Sequence, residues 1–246
     1  MSILYRIAHF FGRQTNFETE LRRGFISLFE ETPNARYLDC GCNLGKVTLM
    51  AAEKIGTKKV IGIDVQDEIK NEVEAKGIEY YHGDLNQRLP FEDGSFDVVS
   101  ANQVIEHLSN TDTFIKEIHR VLSDGGYAII STPNLASTHS ILLLLLGWQP
   151  PAANVSDEAP RAGMGYAVPQ KTESPITWPL HRRIFTLRAL EKLFEYHSFK
   201  VEKSIGSVFF PFPASLARFA CRMDKRHSAY IAVKVRKAFG QRRTIC

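Results

Sequence analysis

The sequence has little cysteine and lacks the features of a secreted or membrane-spanning protein. Its four cysteines, at positions 40, 42, 221 and 246, have neither metal-site spacing nor the pattern of a disulfide framework. The apolar run Ile141–Leu146 is far shorter than the roughly 20 residues that a membrane span needs. The N-terminus has no apolar core or cleavage site of a secretory signal. We therefore expect a cytoplasmic protein in a reducing compartment.

A strong charge of one sign is also missing. The net charge is +4 over 246 residues, and 44% of the residues are hydrophobic, as in ordinary globular proteins. Neither an RNA-binding module nor an aromatic–basic sheet motif is present, so we expect no nucleic-acid partner. The length suits one domain with an insertion.

The stretch Tyr37–Gly45 has the pattern of a strand that ends in a turn before a helix. Apolar residues and an acid lead into a turn with two glycines and Asn43, and a helix is predicted from Lys46. Glycine and asparagine tolerate left-handed backbone torsions, and glycine lets a ligand approach the main chain. Asp64 ends a second predicted strand about 20 residues later, where an acid can bind ribose hydroxyls.

This turn does not fit the two common phosphate-binding motifs. A dinucleotide fingerprint that starts at Gly41 needs glycine at 43 and 46, where the chain has Asn43 and Lys46. A phosphate loop needs serine or threonine at 47, where the chain has Val47. The turn therefore favours a nucleoside without phosphate, whose charged end lies near the glycines.

Strands and helices are predicted to alternate from residue 36 to residue 132. Such alternation is typical of an α/β fold with a doubly wound parallel sheet, in which ligands bind beyond the carboxyl ends of the strands. Two more strands are predicted at Phe199–Ile205 and Tyr230–Val235, the latter with alternating apolar residues. The first five strands are predicted at 37–40, 60–64, 78–82, 96–101 and 127–132, and the helices at 46–54, 67–76 and 113–122.

The motifs together resemble those of the class I S-adenosylmethionine-dependent methyltransferases. Leu38–Gly45 is similar to their first motif, with Asn43 in place of a glycine, and later motifs follow in the family's order at 83–85, 89–99, 104–108, 122–126 and 131–134. The resemblance is greatest to the branch of quinone-biosynthesis (type 11) methyltransferases. It implies a Rossmann-like, seven-stranded, mostly parallel sheet with helices on both faces and an antiparallel last strand. The implied cofactor is S-adenosylmethionine, with S-adenosylhomocysteine as product.

The resemblance also places cofactor contacts at the strand ends. Asp64 would accept from the ribose diol, Asp84 from the adenine amino group, and Asp39 from the ammonium, directly or through water. Asp39 can also cap the turn. The candidate cofactor-binding residues are Asp39, Gly41, Asn43, Gly45, Asp64, Val65, Asp84, Leu85, Asn102 and Gln103.

Two residues after the fourth strand are catalytic candidates. A methyl sulfonium is already activated, so positioning supplies most of the rate, and a base helps when the acceptor is a hydroxyl. His107 and Glu106 are the nearest groups, although they can instead brace the sheet edge. Some small-RNA methyltransferases of similar fold carry Glu-x-x-Glu-His there as a metal site. This chain has Gln103 at the first position, a poorer ligand than a carboxylate for a hard cation, so we expect no metal.

Residues 1–35 are predicted to form a helical cap before a methyltransferase domain at 36–246. Phe17, Leu21, Ile26 and Phe29 approximate a helical stripe, which favours packing on the core over a wall of the ligand site. The basic residues after the last strand form a tail that is either solvated or in contact with an anionic surface.

The segment 134–182 is predicted to be an insertion. Ile141–Leu146 indicates a buried helix, with a lipid-binding element as the alternative. The loop 149–179 is interpreted as an acceptor-binding lid or a simple linker, with Tyr166, Trp178 and His181 as lining candidates. Thr186 is a predicted N-cap before a helix.

Three functions stay open at this point. The leading hypothesis is O-methylation of a small, sugar-linked or lipid-linked acceptor, with peripheral membrane contact as an open alternative. The second is methylation of a macromolecule, and the third is a regulator that binds the cofactor without catalysis.

Overall fold

A seven-stranded sheet forms the centre of the protein, in a computed structural model that describes residues 17–159, 162–164 and 180–238. The strand order is β3-β2-β1-β4-β5-β7-β6, where β1 to β5 are parallel and β7 is antiparallel to both of its neighbours. This confirms the predicted fold class and the predicted direction of the last strand. The strands are β1 Arg36–Cys40, β2 Lys59–Asp64, β3 Glu79–His82, β4 Phe96–Asn102, β5 Leu122–Pro133, β6 Phe199–Ser207 and β7 Tyr230–Lys237.

Helices connect these strands and follow the predicted alternation. The helix after the first turn begins at Lys46 and ends against Gly56, whose positive φ of 80° closes it as predicted. Thr186 caps its helix by accepting from the N–H of Ala189 at 3.3 Å. The helices are α1 Phe17–Ile26, α2 Lys46–Ile55, α3 Lys70–Glu74, α4 Thr111–Val121, α5 Thr138–Leu145, α6 Leu187–Tyr196 and α7 Ala214–Met223, with short 3-10 turns at Asp67–Ile69, Ile105–His107 and Lys225–His227.

Successive residues of a strand point to opposite faces of the sheet. Helices cover both faces, so a core forms on each side. Leu38 faces a core formed with α4 and α6, which includes Phe114 and Phe194. Its neighbour Tyr37 faces the other core, which includes Phe25 of α1 and Ile55 of α2. The two cores hold the strands rigidly, so their carboxyl ends form a fixed edge.

Helix α1 packs on this second core, and of the predicted stripe Phe29 and Ile26 contact this core, whereas Phe17 lies at the surface. Phe25 is 1% exposed and stacks edge-to-face on Phe29, whereas Phe17 is half-exposed. The helix ends at Ile26, so Phe29 reaches the core from the turn that follows, which helical periodicity does not describe. Glu30 then pairs with Lys234 and Arg236 of β7, which ties this segment to the sheet.

The prediction that Ile141–Leu146 is buried is wrong. Most of this run lies in α5 just after β5, but Leu142 is 55% exposed and Leu145 is 79% exposed. The residue of α5 that is buried is Ser140, whose hydroxyl bonds to that of the N-cap Ser137 at 2.8 Å. The helix therefore docks through its polar start and leaves its leucines at the surface.

Candidate cofactor and acceptor site

The glycine turn between β1 and α2 adopts the torsions that its residue types predict. Gly41, Asn43 and Gly45 have φ values of 75°, 45° and 76°. A Cβ atom at Gly41 would lie 2.5 Å from Cγ2 of Val104, and one at Gly45 would lie 2.5 Å from Cδ1 of Ile78. The turn therefore needs glycine at both positions for torsion and for space. It brings the backbone of β1 against the segment that follows β4.

Asp64, at the end of β2, is hydrogen-bonded to this turn. Its Oδ2 accepts from the N–H of Asn43 at 2.9 Å, and its Oδ1 accepts from the N–H of Gln66 at 3.2 Å. The carboxylate is buried, while the next residue, Val65, is exposed. The structure thus brings Asp64 and Asn43 together, as expected for one binding edge.

Asp39, at the end of β1, is held by two hydroxyl groups. Its Oδ1 accepts from Ser100 at 2.5 Å and its Oδ2 from Thr48 at 2.6 Å. Ser100 gives its proton to Asp39, so the Tyr37 hydroxyl, 2.7 Å away, donates to Ser100. Burial raises the pKa of Asp39 to about 6, against the opposing effect of these hydrogen bonds. Asp39 is therefore ionised at neutral pH, with its charge fixed in place.

The loop after β3 carries Asp84 and is fixed to the segment after β4. Oδ1 of Asp84, which is exposed, accepts from the backbone and side-chain N–H groups of Asn86, both at 2.8 Å. The Asn86 side-chain oxygen accepts from the N–H groups of Ser109 and Asn110 at 2.9 and 3.0 Å. Leu85, which lies between Asp84 and Asn86 in the sequence, is buried. Asn86 was not among the predicted residues, although its place beside Asp84 could have suggested a loop-fixing role.

Asn102 and Gln103 lie at the end of β4 and are fixed by Ser131 of β5. The Ser131 hydroxyl donates to Oδ1 of Asn102 at 2.7 Å and accepts from Nε2 of Gln103 at 3.1 Å. Gln103 has a φ of 59° and also donates its N–H to the Ser131 carbonyl. Because Val104 contacts the glycine turn, these side chains lie beside the edge that carries Asp39 and Asp64.

Glu106, His107 and His181 form a cluster after β4. One donor atom from each lies within 4.8 Å of the others, and the two imidazole centroids are 5.0 Å apart. The carbonyl of Glu106 accepts from the N–H groups of Arg182 and Arg183 at 2.7 and 3.0 Å, which holds the end of the insertion against this loop. Glu106 and His107 were predicted as a pair and His181 separately; the structure places all three together.

Glu106 is 2% exposed, and its Oε2 has no hydrogen-bond partner among the described residues. Burial raises the pKa of this carboxyl to about 8, while the nearby Thr132 hydroxyl has a smaller, opposite effect. Burial also lowers the pKa of His181, so its imidazole is neutral at pH 7. The cluster therefore combines a buried acid that is costly to ionise with a neutral base.

Two cavities differ in their relation to this edge. One of about 400 Å³ is lined by Ser109, Asn154 and His181, next to the cluster. Another of about 560 Å³ lies at the opposite end of the strands, beside Arg36 and Lys59, away from these groups. Tyr166 and Trp178, predicted to line the acceptor pocket with His181, lie outside the described residues.

Comparison with known proteins agrees with this geometry. The profile of the family described as "Methyltransferase domain" matches residues 38–130, the span that contains the glycine turn and the strand-end acids. Residues 38–130 thus match a methyltransferase domain, the kind of domain found in S-adenosylmethionine-dependent methyltransferases. This confirms the resemblance that the sequence motifs indicated.

Among the relatives of the chain, a probable S-adenosylmethionine-dependent methyltransferase of Mycolicibacterium smegmatis is 38% identical over 39% of the chain and 37% of its own length. A demethylmenaquinone methyltransferase of Bacillus cereus is 31% identical over 44% of the chain and 48% of its own length. The mitochondrial ubiquinone biosynthesis O-methyltransferase of Rattus norvegicus is 30% identical, over 72% and 48%. The chain spans less than half the length of each of these relatives.

Solved structures show the same fold. A methyltransferase of Thermotoga maritima, described as a possible histamine N-methyltransferase, superposes with a TM-score of 0.59 at 17% identity, over 95% of this chain and 94% of its own. A methyltransferase of Mesorhizobium loti superposes with a TM-score of 0.57 at 20% identity, over 89% of this chain and 96% of its own. Across the described ranges, no helix of the protein is long and apolar enough to cross a bilayer.

Proposed function

We propose that the protein is a methyltransferase that binds S-adenosylmethionine at the edge formed by β1, β2 and β4 and transfers its methyl group to an oxygen of a small, lipid-linked acceptor. The bound cofactor supplies a methyl group already activated on a sulfonium. The observation that carries the proposal is the convergence of Asp39, Asp64 and the glycine turn on one edge. These groups fit the cofactor because each carboxylate retains acceptor capacity, and the turn has no Cβ atoms to block an approach.

Each strand end has a proposed task. Asp64 accepts from the ribose hydroxyls, and the ionised Asp39 faces the positive ammonium end. Asp84 and Leu85 contact the adenine. Val65 lies beside the ribose, and Asn102 and Gln103 lie where the methyl group meets the acceptor. Because Asn86 and Ser131 already fix these loops, the site needs little rearrangement to bind.

The cluster after β4 faces the acceptor in this proposal. His107 takes the proton of the acceptor hydroxyl, and Glu106 and His181 position it. Nδ1 of His107 lies 3.3 Å from the carbonyl of Leu180, so Nδ1 of this ring carries the proton and its Nε2 has the lone pair. The cavity beside His181 gives the acceptor a route to this group.

The exposed leucines of α5 support a lipid-linked acceptor. The start of α5 is bonded to the loop before α7, since the Thr138 hydroxyl donates to the Phe210 carbonyl at 3.0 Å. Leu216, Phe219 and Met223 of α7 are also exposed. Arg222 and Arg226 are exposed on the same segment. Apolar residues beside basic ones are typical of surfaces that enter the interface of an anionic bilayer. Several relatives are named for quinone biosynthesis, which agrees with an acceptor drawn from a membrane by a cytoplasmic, peripheral protein.

A labelling screen tests the acceptor class. The purified protein and radiolabelled S-adenosylmethionine are incubated with separated lipid, RNA, protein and polar-metabolite fractions of a cell extract. We expect label in the lipid fraction. Label in RNA or protein alone would show a macromolecular acceptor, and cofactor binding without any labelling would indicate a regulator.

Vesicle sedimentation tests the membrane surface. We expect the protein to sediment with phosphatidylglycerol vesicles and the double variant Leu142→Glu, Leu145→Glu to bind at least tenfold more weakly, since both side chains leave the interface. Tyr196→Glu is the control, because Tyr196 is an equally exposed apolar side chain on α6. Equal losses in both variants, with circular dichroism unchanged, would contradict a lipid surface on α5.

A further inference from the structure

The cavity beside His181 has a polar and basic lining. Its volume is about 400 Å³, and of the described residues that line it Val155 alone has an apolar side chain. Its charged residues are Arg182, Arg183 and one acid, Asp157, while His181 is neutral at pH 7 because burial lowers its pKa. The lining therefore carries a net positive charge, which attracts an anion and disfavours hydrocarbon.

Arg183 is fixed in place without losing its charge. Its backbone N–H donates to the carbonyl of Glu106 at 3.0 Å, and its Nη2 donates to the carbonyl of Ser109 at 2.8 Å. Its Nη1 donates to the carbonyl of Arg182 at 3.4 Å. These partners are neutral, and no carboxylate of the described residues pairs with this guanidinium. Two of its five side-chain N–H groups are thus used, and the other three remain for a ligand.

Arg182 has an equally anchored backbone and an unpaired side chain. Its N–H donates to the same Glu106 carbonyl at 2.7 Å. Its guanidinium forms no hydrogen bond or ion pair with the part of the chain that the structure describes. Arg120 and Arg236, by contrast, each bind carboxylates of the fold. Two adjacent cations without a counter-ion repel each other, and an anion bound between them would offset that repulsion.

Ser156 brings a hydroxyl donor from another segment. Its oxygen accepts from the N–H groups of Glu158 and Ala159 at 3.2 and 3.0 Å, which leaves its own proton unused within the described residues. Asn154, two residues earlier, accepts from the N–H of His181 at 3.2 Å, which ties this segment to the one that carries the arginines. The cavity is thus formed before a ligand binds.

This set of donors fits a phosphate better than a carboxylate. Guanidinium groups bind both anions through paired N–H donors. A carboxylate offers two oxygens and one negative charge, whereas a phosphate monoester offers three oxygens and a charge of about −1.5 to −2 at pH 7. Two cations and a hydroxyl, which come from two segments of the chain, match the larger charge and the third oxygen.

The position of the cavity connects it with the acceptor. His181 lines it, and the centroid of this imidazole is 5.0 Å from that of His107. We propose that the cavity binds a phosphate ester group of the acceptor, held by Arg182, Arg183 and the hydroxyl of Ser156. The acceptor is then a lipid-linked phosphate ester whose methylated hydroxyl lies close to the phosphate. That the phosphate belongs to the acceptor rests on the proposed function, whereas its binding needs neither S-adenosylmethionine nor methyl transfer.

Calorimetry of octyl phosphate, used below its micelle concentration, on the full chain without cofactor tests the site. We expect one saturable site per chain, with an affinity that falls as salt is raised. Arg182→Gln and Arg183→Gln should each weaken binding at least about tenfold, because each removes a charged donor. Arg188→Gln, which alters an exposed arginine on α6 outside the cavity, should leave the affinity unchanged.

Three further probes separate the possible sources of the anion. Octanol has the alkyl chain without charge and should not bind, and octanoate, with two oxygens, should bind several-fold more weakly than octyl phosphate. Inorganic phosphate should bind at the same site, with the same loss in Arg182→Gln. Binding of inorganic phosphate with exclusion of octyl phosphate would show a site for free phosphate and overturn the assignment to the acceptor. Octanoate binding as tight as that of octyl phosphate would overturn the choice of phosphate.

Circular dichroism on each variant shows whether the fold is kept. Arg183→Lys, which keeps the charge but loses the paired donors, is the second variant if Arg183→Gln is unfolded, and it should bind several-fold more weakly than the wild type. The proposal is overturned if octyl phosphate shows no saturable binding, if the folded variants bind it as tightly as the wild type, or if Arg188→Gln loses as much affinity as they do. Binding that depends on both arginines, in a protein that methylates no lipid, would support the phosphate site and overturn the proposed function alone.

Discussion

The two parts of the strand edge treat their buried carboxylates differently. Around the glycine turn, both oxygens of Asp39 and both of Asp64 accept hydrogen bonds from hydroxyl or N–H groups of the chain itself. After β4, Oε2 of Glu106 has no such partner in the described residues, although Glu106 is just as buried. The described residues therefore satisfy the carboxylates of the first region, whereas they leave one carboxylate oxygen of the second region unpaired. We interpret the first as a preorganised cofactor site and the second as the place of the chemistry.

The largest effect is expected in the second region. His107→Gln should lower methyl transfer about a hundredfold or more, because it removes the group that acts on the acceptor proton. Affinity for S-adenosylhomocysteine should stay within a few-fold, since the proposed cofactor contacts lie at Asp39, Asp64 and the glycine turn. Initial rates with the labelled acceptor fraction and calorimetry measure the two quantities, with His227→Gln as the control. A variant that keeps its rate but loses cofactor affinity would reverse the assignment of the two regions.

A smaller effect is expected at Asp64. Asp64→Ala removes the acceptor for the ribose hydroxyls and for the N–H groups of Asn43 and Gln66. An unpaired buried polar group costs about 1–3 kcal/mol, so the dissociation constant for S-adenosylhomocysteine should rise about ten- to a hundredfold. Asp67→Ala alters an exposed acid three residues later and should have no effect. An unchanged constant in a folded Asp64→Ala protein would remove this residue from the site.

The third effect concerns stability and pH. The pKa of Asp39 is raised by burial from 3.8 to about 6 in the folded protein, so the folded state keeps a proton that the unfolded state releases. The contribution of Asp39 to the free energy of unfolding is therefore fully present below pH 4 and is lost as the pH rises to about 6. Between pH 4 and pH 6 the wild type should lose roughly 2 kcal/mol of unfolding free energy more than Asp39→Asn does.

Urea unfolding of both proteins across this range measures that difference. The asparagine of Asp39→Asn has the shape of aspartate and does not titrate. The hydroxyls of Thr48 and Ser100 can still bond to it, because a hydroxyl both donates and accepts. Parallel curves for the two proteins would show that Asp39 titrates normally in the folded state.

Local sequence was sufficient for the first region and insufficient for the second. The glycine turn, the strand-end acids and the cap at Thr186 depend on neighbouring residues, so their types predict them. The bond from Ser100 to Asp39 depends on the pairing of β4 with β1, which no short pattern specifies. The meeting of His181 with Glu106 likewise depends on a long-range contact, in which Arg182 and Arg183 donate to the carbonyl of Glu106.

The wrong predictions have a related cause. Apolar content placed α5 in the core, but a helix is buried only where another element covers it, and its leucines are exposed. Periodicity placed Phe17 on the buried side of α1 and omitted Phe25, but Phe17 lies at the surface and Phe25 is buried. The prediction that Phe29 is buried is confirmed.

Calorimetric binding of S-adenosylhomocysteine and of NAD to the wild type and to His181→Ala tests the separation of the two regions most directly. We predict that S-adenosylhomocysteine binds both proteins with one site and similar affinity, because Asp64 and the glycine turn need no help from the cluster. NAD should bind neither protein appreciably, since Asn43 and Lys46 replace the glycines of a diphosphate-binding turn. Tighter binding of NAD than of S-adenosylhomocysteine, or loss of S-adenosylhomocysteine binding in a folded His181→Ala protein, would contradict this account.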